Sequence, residues 1–184
     1  MDLSLFIVVL GGRSLKSNIE IHDVRWVLGE SIEDTFPELR EQWIGKIRGL
    51  HIDSYKCIKY VDGYEIVISK SKKDNINSTK TEDLTLWFVN LGGYNPKKMY
   101  EEHEFNLIVA KKAIEAKKKA KKDWNTNLKN KHNDDYSSIN YLEQVEDLHP
   151  IKIKNWKINL LPDPEGRNEK LLPDWYGYWR IDKF

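Results

Sequence analysis

The sequence predicts an α+β protein made of two tandem copies of one strand-strand-helix-strand-strand unit, and three observations predict it. Rare residue types recur at a constant offset of 81 positions; each copy opens with an apolar run ending in Gly-Gly; and each then passes from period-two alternation to a helical stripe. Two small copies of one unit are expected to pack about a pseudo-twofold axis, as a homodimer would, with the helices on one face of the sheet.

The offset aligns Leu10-Gly11-Gly12 with Leu91-Gly92-Gly93, Glu20 with Glu101, His22 with His103 and Trp43 with Trp124. Carried on without a gap, it pairs His51 with His132, Asp53 with Asp134, Tyr55 with Tyr136, Ile58 with Ile139 and Tyr60 with Tyr141. The first strand of each copy, residues 3–10 and 84–91, is apolar at nearly every position, the pattern of a strand buried on both faces. The Gly-Gly pair after it reads as a sharp turn. A glycine loop for phosphate is the weaker reading, because a strand follows and neither GxGxxG nor the Walker pattern is present. In the second strand His22, Val24, Trp26 and Leu28 lie on one face with Asp23 and Arg25 opposite; His103, Phe105, Leu107 and Val109 repeat the pattern.

A helix follows, with the stripe Ile32, Phe36, Leu39 and Trp43 in the first copy and Ala113, Ala116, Ala120 and Trp124 in the second. Pro37 places the first helix's start near Phe36 or kinks it there. Asp62-Gly63, between Tyr55–Val61 and Tyr64–Ser69, signals a hairpin, which the second copy replaces by a longer stretch around Glu143–Pro150. The chain divides into a first repeat (1–69), a polar linker (70–83), a second repeat (84–154) and an aromatic C-terminal extension (155–184). Trp175, Tyr176, Tyr178 and Trp179 need an apolar surface, so the extension is expected to pack back on the domain.

Composition excludes several classes. Thirty basic and 29 acidic residues give a net charge of +1, which offers no global attraction to nucleic acid or membrane. The single cysteine, Cys57, permits no internal disulfide; it pairs by position with Ser138 and reads as structural. The apolar start is too short to span a bilayer and lacks the features of a secretion signal, so a cytoplasmic location is expected. Helix charge differs between copies. Glu30, Glu33, Asp34, Glu38 and Glu41 against Arg40 make the first helix −4, and seven lysines between Lys111 and Lys122 against Glu115 and Asp123 make the second +5. Without arginine or interleaved aromatics the lysine face is poorly equipped for nucleic acid, and oppositely charged helices are expected to lie side by side.

The candidate site residues are polar and repeated: Glu20, His22, His51, Asp53 and Tyr55, with Glu101, His103, His132, Asp134 and Tyr136. In an extended strand Glu20 and His22 share a face, as do His51, Asp53 and Tyr55. Hydrogen bonding that ties strand ends together is the favoured reading of these groups. Acid–base work or metal ligation are the alternatives supported by residue type, although no HExxH motif or cysteine pair is present.

The runs Leu10-Gly11-Gly12-Arg13, Asn18-Ile19-Glu20-Ile21-His22-Asp23-Val24 and Leu50-His51-Ile52-Asp53-Ser54-Tyr55 resemble the bacterial domain-of-unknown-function family 1543. Val89-Asn90-Leu91-Gly92-Gly93-Tyr94 and Glu102-His103-Glu104 resemble a second copy, so the resemblance covers about residues 3–154. It implies a fold unit present once or twice per chain and carries no mechanism, cofactor or partner. The expected function is therefore a binding or interaction module without a required cofactor, with a protein partner or self-association as its expected engagement. A small-molecule enzyme or metal-binding protein is the rival, and nucleic-acid contact through Lys111–Lys122 is weaker still.

Overall fold

The computed structural model describes residues 3–71, 84–94, 98–130 and 145–183. In chain order the elements are β1 (Ser4–Gly12), β2 (Ile21–Gly29), a 3-10 turn (Glu33–Thr35), α1 (Phe36–Gln42), β3 (His51–Ile58), β4 (Tyr60–Val61) and β5 (Tyr64–Lys70). They continue with β6 (Thr85–Tyr94), β7 (Glu101–Ala110), α2 (Ala113–Asn130), β8 (Val145–Pro150), β9 (Trp156–Pro162) and β10 (Trp175–Arg180). The protein is α+β, with antiparallel sheets and two sheet-rich halves. One compact unit comprises Met1–Ser71 with Ile153–Phe184, and the other Lys72–Lys152.

In the first unit the main sheet has the order β10-β3-β1-β2, and a smaller sheet has the order β4-β5-β9. The fourth strand expected of the repeat, β5, thus leaves the main sheet, and its hairpin pairs with β9 from the C-terminal segment. The place beside β3 goes to β10. The aromatic segment supplies structure here: Trp175 and Trp179 pack against the core, and Trp179 meets Phe36 edge-on at 5.4 Å.

One face of the main sheet carries Phe6, Val8 and Leu10, which pack with Val27, Ile32, Phe36, Leu39, Trp43, Leu50, Ile52 and Ile181. Helix α1 begins at Phe36 with Pro37 in its first turn, where the missing N–H costs no hydrogen bond, so the helix is not kinked. The parity expected of β2 holds, since His22, Val24, Trp26 and Leu28 all face the odd residues of β1 from Gly11 to Leu5. The most deeply buried β2 side chain is nevertheless Val27, on the other face, because α1 covers that face.

The Gly-Gly pair is not a turn. Gly11 and Gly12 lie within β1, paired with His22 and Ile21 on β2. Each leaves out a side chain for a different reason. A Cβ on Gly12 would sit 2.8 Å from the Trp43 ring, and one on Gly11 would meet polar groups on the opposite face. Two adjacent strand positions point to opposite faces, so both faces of the sheet come close at this end of β1.

The second unit forms the sheet β7-β6-β8 with α2 over Val89 and Leu91, where Ala116 and Ala120 are buried. Ala113, the first residue of the expected stripe, is exposed at the helix start. The partner of β6 that corresponds to β3 is β8, so the stretch expected to replace a turn near residues 143–150 contains a sheet strand. Val8 faces Tyr55 and Val89 faces Leu148, which changes the offset from 81 in the first two strands to 93 in the third. The longer α2 and the stretch after it absorb the difference of 12. The gap-free pairings of His51 with His132 and of Asp53 with Asp134, and those after them, therefore do not match strand to strand. His132, Asp134 and Tyr136 lie outside the described residues.

The Asp62-Gly63 hairpin takes positive φ at both residues, 52° and 80°, as a type I′ turn requires. It is clamped by the loop after β9, where Gly63 N–H donates to the Arg167 carbonyl and Asp163 N–H donates to the Gly63 carbonyl. Arg167 grips Asp163 through both Nε (2.9 Å) and an Nη (2.7 Å), and its guanidinium lies over the Tyr60 ring at 3.7 Å. These bonds hold the Asp163 carboxyl down to about 2. A carboxylate lowered on folding contributes stability above its ordinary pKa of about 4, and loses it as pH falls through the folded value. Asp163→Asn is accordingly expected to lower the thermal midpoint at pH 7, with the gap to wild type closing between pH 4 and pH 2. A gap that stays constant to pH 2 would refute this clamp.

Candidate functional site

A polar cluster occupies the sheet face opposite α1, over Gly11. His51, the first residue of β3, is paired with Gly11, and Gly11 with His22 on its other side. Glu20 enters from the residue just before β2. The register of β1 against β3 shifts between Val9 and Leu10: Ser54 faces Val9, Ile52 faces Leu10, and Asp53 is the extra residue between them. This bulge reverses the parity of the strand. Tyr55 consequently falls on the core face, edge-on to Phe6 (6.1 Å) and stacked with Trp175 (6.2 Å), and does not share a face with His51 as simple alternation predicts. Glu20, His22, His51 and Asp53 are brought together; Tyr55 is not.

His51 is the centre of the cluster and is 2% exposed. Its Nδ1 is 2.9 Å from the Gly49 carbonyl. A carbonyl only accepts, so Nδ1 carries the proton in this contact and Nε2 is the other ring nitrogen. Nε2 lies 2.7 Å from Glu20 Oε1 and 3.2 Å from Asp53 Oδ1. His22, more than half exposed, points its Nε2 at the same two carboxylates, 3.3 Å from Asp53 Oδ2 and 3.6 Å from Glu20 Oε1. Burial, the largest influence, pushes the Asp53 carboxyl up, against the opposing pull of His51 and His22.

Sequence reasoning missed several supporting groups. Tyr178 of β10 covers the His51 ring, with centroids 4.0 Å apart and planes tilted by 34°. Gly49, with φ +87°, orients His51 through its carbonyl, while its N–H donates to Asp182 Oδ2 at 2.8 Å. Arg180 in turn donates to both Asp182 oxygens and, with Gly49, holds that carboxyl well below the usual range. Tyr178, Arg180 and Asp182 come from outside the repeat, and the aromatic run of the C-terminal segment was the only signal pointing to them.

The second unit reproduces part of this arrangement. His103 is paired with Gly92 as His22 is with Gly11, and its Nε2 is 4.0 Å from Glu101 Oε2. Its Nδ1 contacts the Asn90 amide at 3.2 Å, and that amide also donates to Asp147 Oδ2 at 3.1 Å. By the offset of 93 the counterpart of Asp53 is Glu146, and that of His51 lies outside the described residues.

No helix among the described residues is long and apolar enough to cross a membrane. No curated protein matches the chain significantly. A crystal structure of a protein Il1583 from Idiomarina loihiensis is similar over 100% of both chains, with 29% identity and a TM-score of 0.70. The family model described as Domain of Unknown Function (DUF1543) matches twice, at residues 17–68 and 98–148. Both matches contain the His22 or His103 strand and the helix after it, and together they cover more than half of the sequence: the chain belongs to the DUF1543 family and carries the domain in two copies.

Proposed function

We propose that the chain is a binding module whose first half captures a cationic group between Glu20 and Asp53. The observation that carries this reading is the orientation of His51. With Nδ1 committed as a donor to Gly49, a neutral ring presents an Nε2 lone pair to two carboxylates at hydrogen-bond distance. A lone pair that faces two carboxylates is a place for a group that carries positive charge, and this supports the reading. His51 is also unsuited to shuttling protons to a substrate, since both ring nitrogens are engaged and the ring is buried, which favours binding over catalysis.

A ligand that binds only the folded state stabilises it by about 2.7 kcal/mol at a hundred times its Kd. The test is thermal unfolding of the full chain with zinc chloride, calcium chloride or putrescine added. At least one of the three is expected to raise the midpoint, and the double variant Glu20→Gln/Asp53→Asn is expected to lose that response. If none of the probes shifts the wild type, or the double variant responds equally, the reading fails.

A further inference from the structure

The geometry points to a first-row transition-metal ion of the zinc class as the cation, held by Nε2 of His51, the carboxylates of Glu20 and Asp53, and Nε2 of His22, with one ion per chain. This assignment rests on the cation-binding reading above and narrows it.

Three features of the cluster select a metal over an organic cation. The first is the donor set. Two imidazoles with two carboxylates are borderline donors suited to zinc, whereas calcium and magnesium prefer oxygen alone. The second is space. Ligand atoms of Glu20, His51 and Asp53 lie within 4.8 Å of one another. The point where a Cβ of residue 11 would sit is 2.4 Å from His51 Nε2, 2.5 Å from Glu20 Oε1 and 2.9 Å from Asp53 Oδ2. Because residue 11 is glycine, no side chain stands between these three groups, and their donor atoms close on one another over its Cα. Small movements of the flexible Glu20 and Asp53 side chains set these donors at the ~2.0–2.2 Å that zinc–nitrogen and zinc–oxygen bonds to a common ion require.

The third feature is the outer layer. A metal-ligating histidine characteristically donates its second ring N–H to a carbonyl or carboxylate, which fixes the tautomer that leaves the other nitrogen free to coordinate. His51 does so to Gly49, and Gly49 is itself held by Asp182, which is held by Arg180. Such a chain of contacts limits rotation of the ring. His22 is exposed and comes from a different strand, so it completes the set from the solvent side.

The stoichiometry follows from the described residues, among which Glu20, His51 and Asp53 form the one group of this kind. His103 and Glu101 correspond to His22 and Glu20, but no group of three such ligands includes them among the described residues.

The test is calorimetric titration of the full chain, stripped with chelator, with zinc chloride, paralleled by cobalt(II), whose visible absorption bands report its ligand geometry. One equivalent of zinc is expected to bind. Since loss of outer-layer partners alone costs roughly 10–100-fold in metal affinity, removing a ligand by Glu20→Gln or His22→Ala should cost at least the upper end of that range. Both positions are partly exposed, so both variants are expected to fold, as checked by circular dichroism. His51→Ala should abolish binding but sits in the core, and its result counts only if the variant folds. His103→Ala should bind as wild type does. The assignment is overturned by no zinc or cobalt binding, or by binding that survives Glu20→Gln and His22→Ala. Putrescine binding without metal binding would overturn the metal and leave the broader reading standing; binding of neither would overturn both.

Discussion

Replacing Gly11 by alanine is expected to abolish cation binding and to destabilise the first half of the protein by about 1–3 kcal/mol, the usual cost of overpacking a filled site. The added methyl would stand 2.4 Å from His51 Nε2 and 2.5 Å from Glu20 Oε1, well inside contact distance. Glu20 can swing away, because its carboxylate is the end of a flexible, partly exposed side chain. His51 cannot, because it is buried under Tyr178 and bonded to Gly49. The clash thus displaces the donor set from within while leaving every donor in the sequence. Gly12→Ala provides the comparison. Its methyl would press on the Trp43 ring at 2.8 Å on the other face of the sheet, so stability should fall while cation binding persists. Urea unfolding and zinc titration on both variants separate the two effects. Wild-type zinc affinity in Gly11→Ala would refute the proposed centre.

The second large effect is expected at Ile181. This residue is fully buried in the core with Leu39, Leu50 and Ile52, and its N–H donates to the Leu50 carbonyl. Its own carbonyl accepts from the Arg40 guanidinium at 3.0 Å. Ile181→Ala leaves a cavity bounded by α1, β3 and the segment before β3, and truncations of this kind cost about 2–5 kcal/mol. Small domains hold only about 5–15 kcal/mol in all, so this single change near the C-terminus should be among the most damaging in the chain. Urea denaturation followed by tryptophan fluorescence measures it, since Trp175 and Trp179 pack on the same core. A loss under about 0.5 kcal/mol, as for a surface substitution, would refute the assignment of Ile181 to the core. The same change should loosen the site, because the Asp182 carboxylate that holds Gly49 is the next residue.

How far the site was legible depends on which interactions place each residue. Glu20 and His22 stand two apart at the start of one strand, and their shared face follows from local period alone. The grouping of His51 with Asp53 was right, but the inclusion of Tyr55 was not. The bulge at Asp53 is created by pairing with β1, a partner some 40 residues away, and nothing in the local run His51–Tyr55 announces it. The two glycines were legible as special but not for the correct reason. A missing side chain can serve a turn or a close approach, and only the positions of Trp43 and His51 on opposite faces decide between them.

The sequence by itself determined the duplication, the α+β class, the family and the Asp62-Gly63 turn. Each of these depends on composition or on contacts within a few residues, where proline, glycine and hydrophobic period act directly on the backbone. Only the tertiary structure decided that the offset changes to 93 in the third strand, that β10 takes the edge beside β3, and that His51 turns its Nε2 toward Glu20 and Asp53. Those outcomes depend on which strand pairs with which. Strand pairing is set by burial and hydrogen bonding between segments far apart in the chain, so an offset that holds for two strands need not hold for the third.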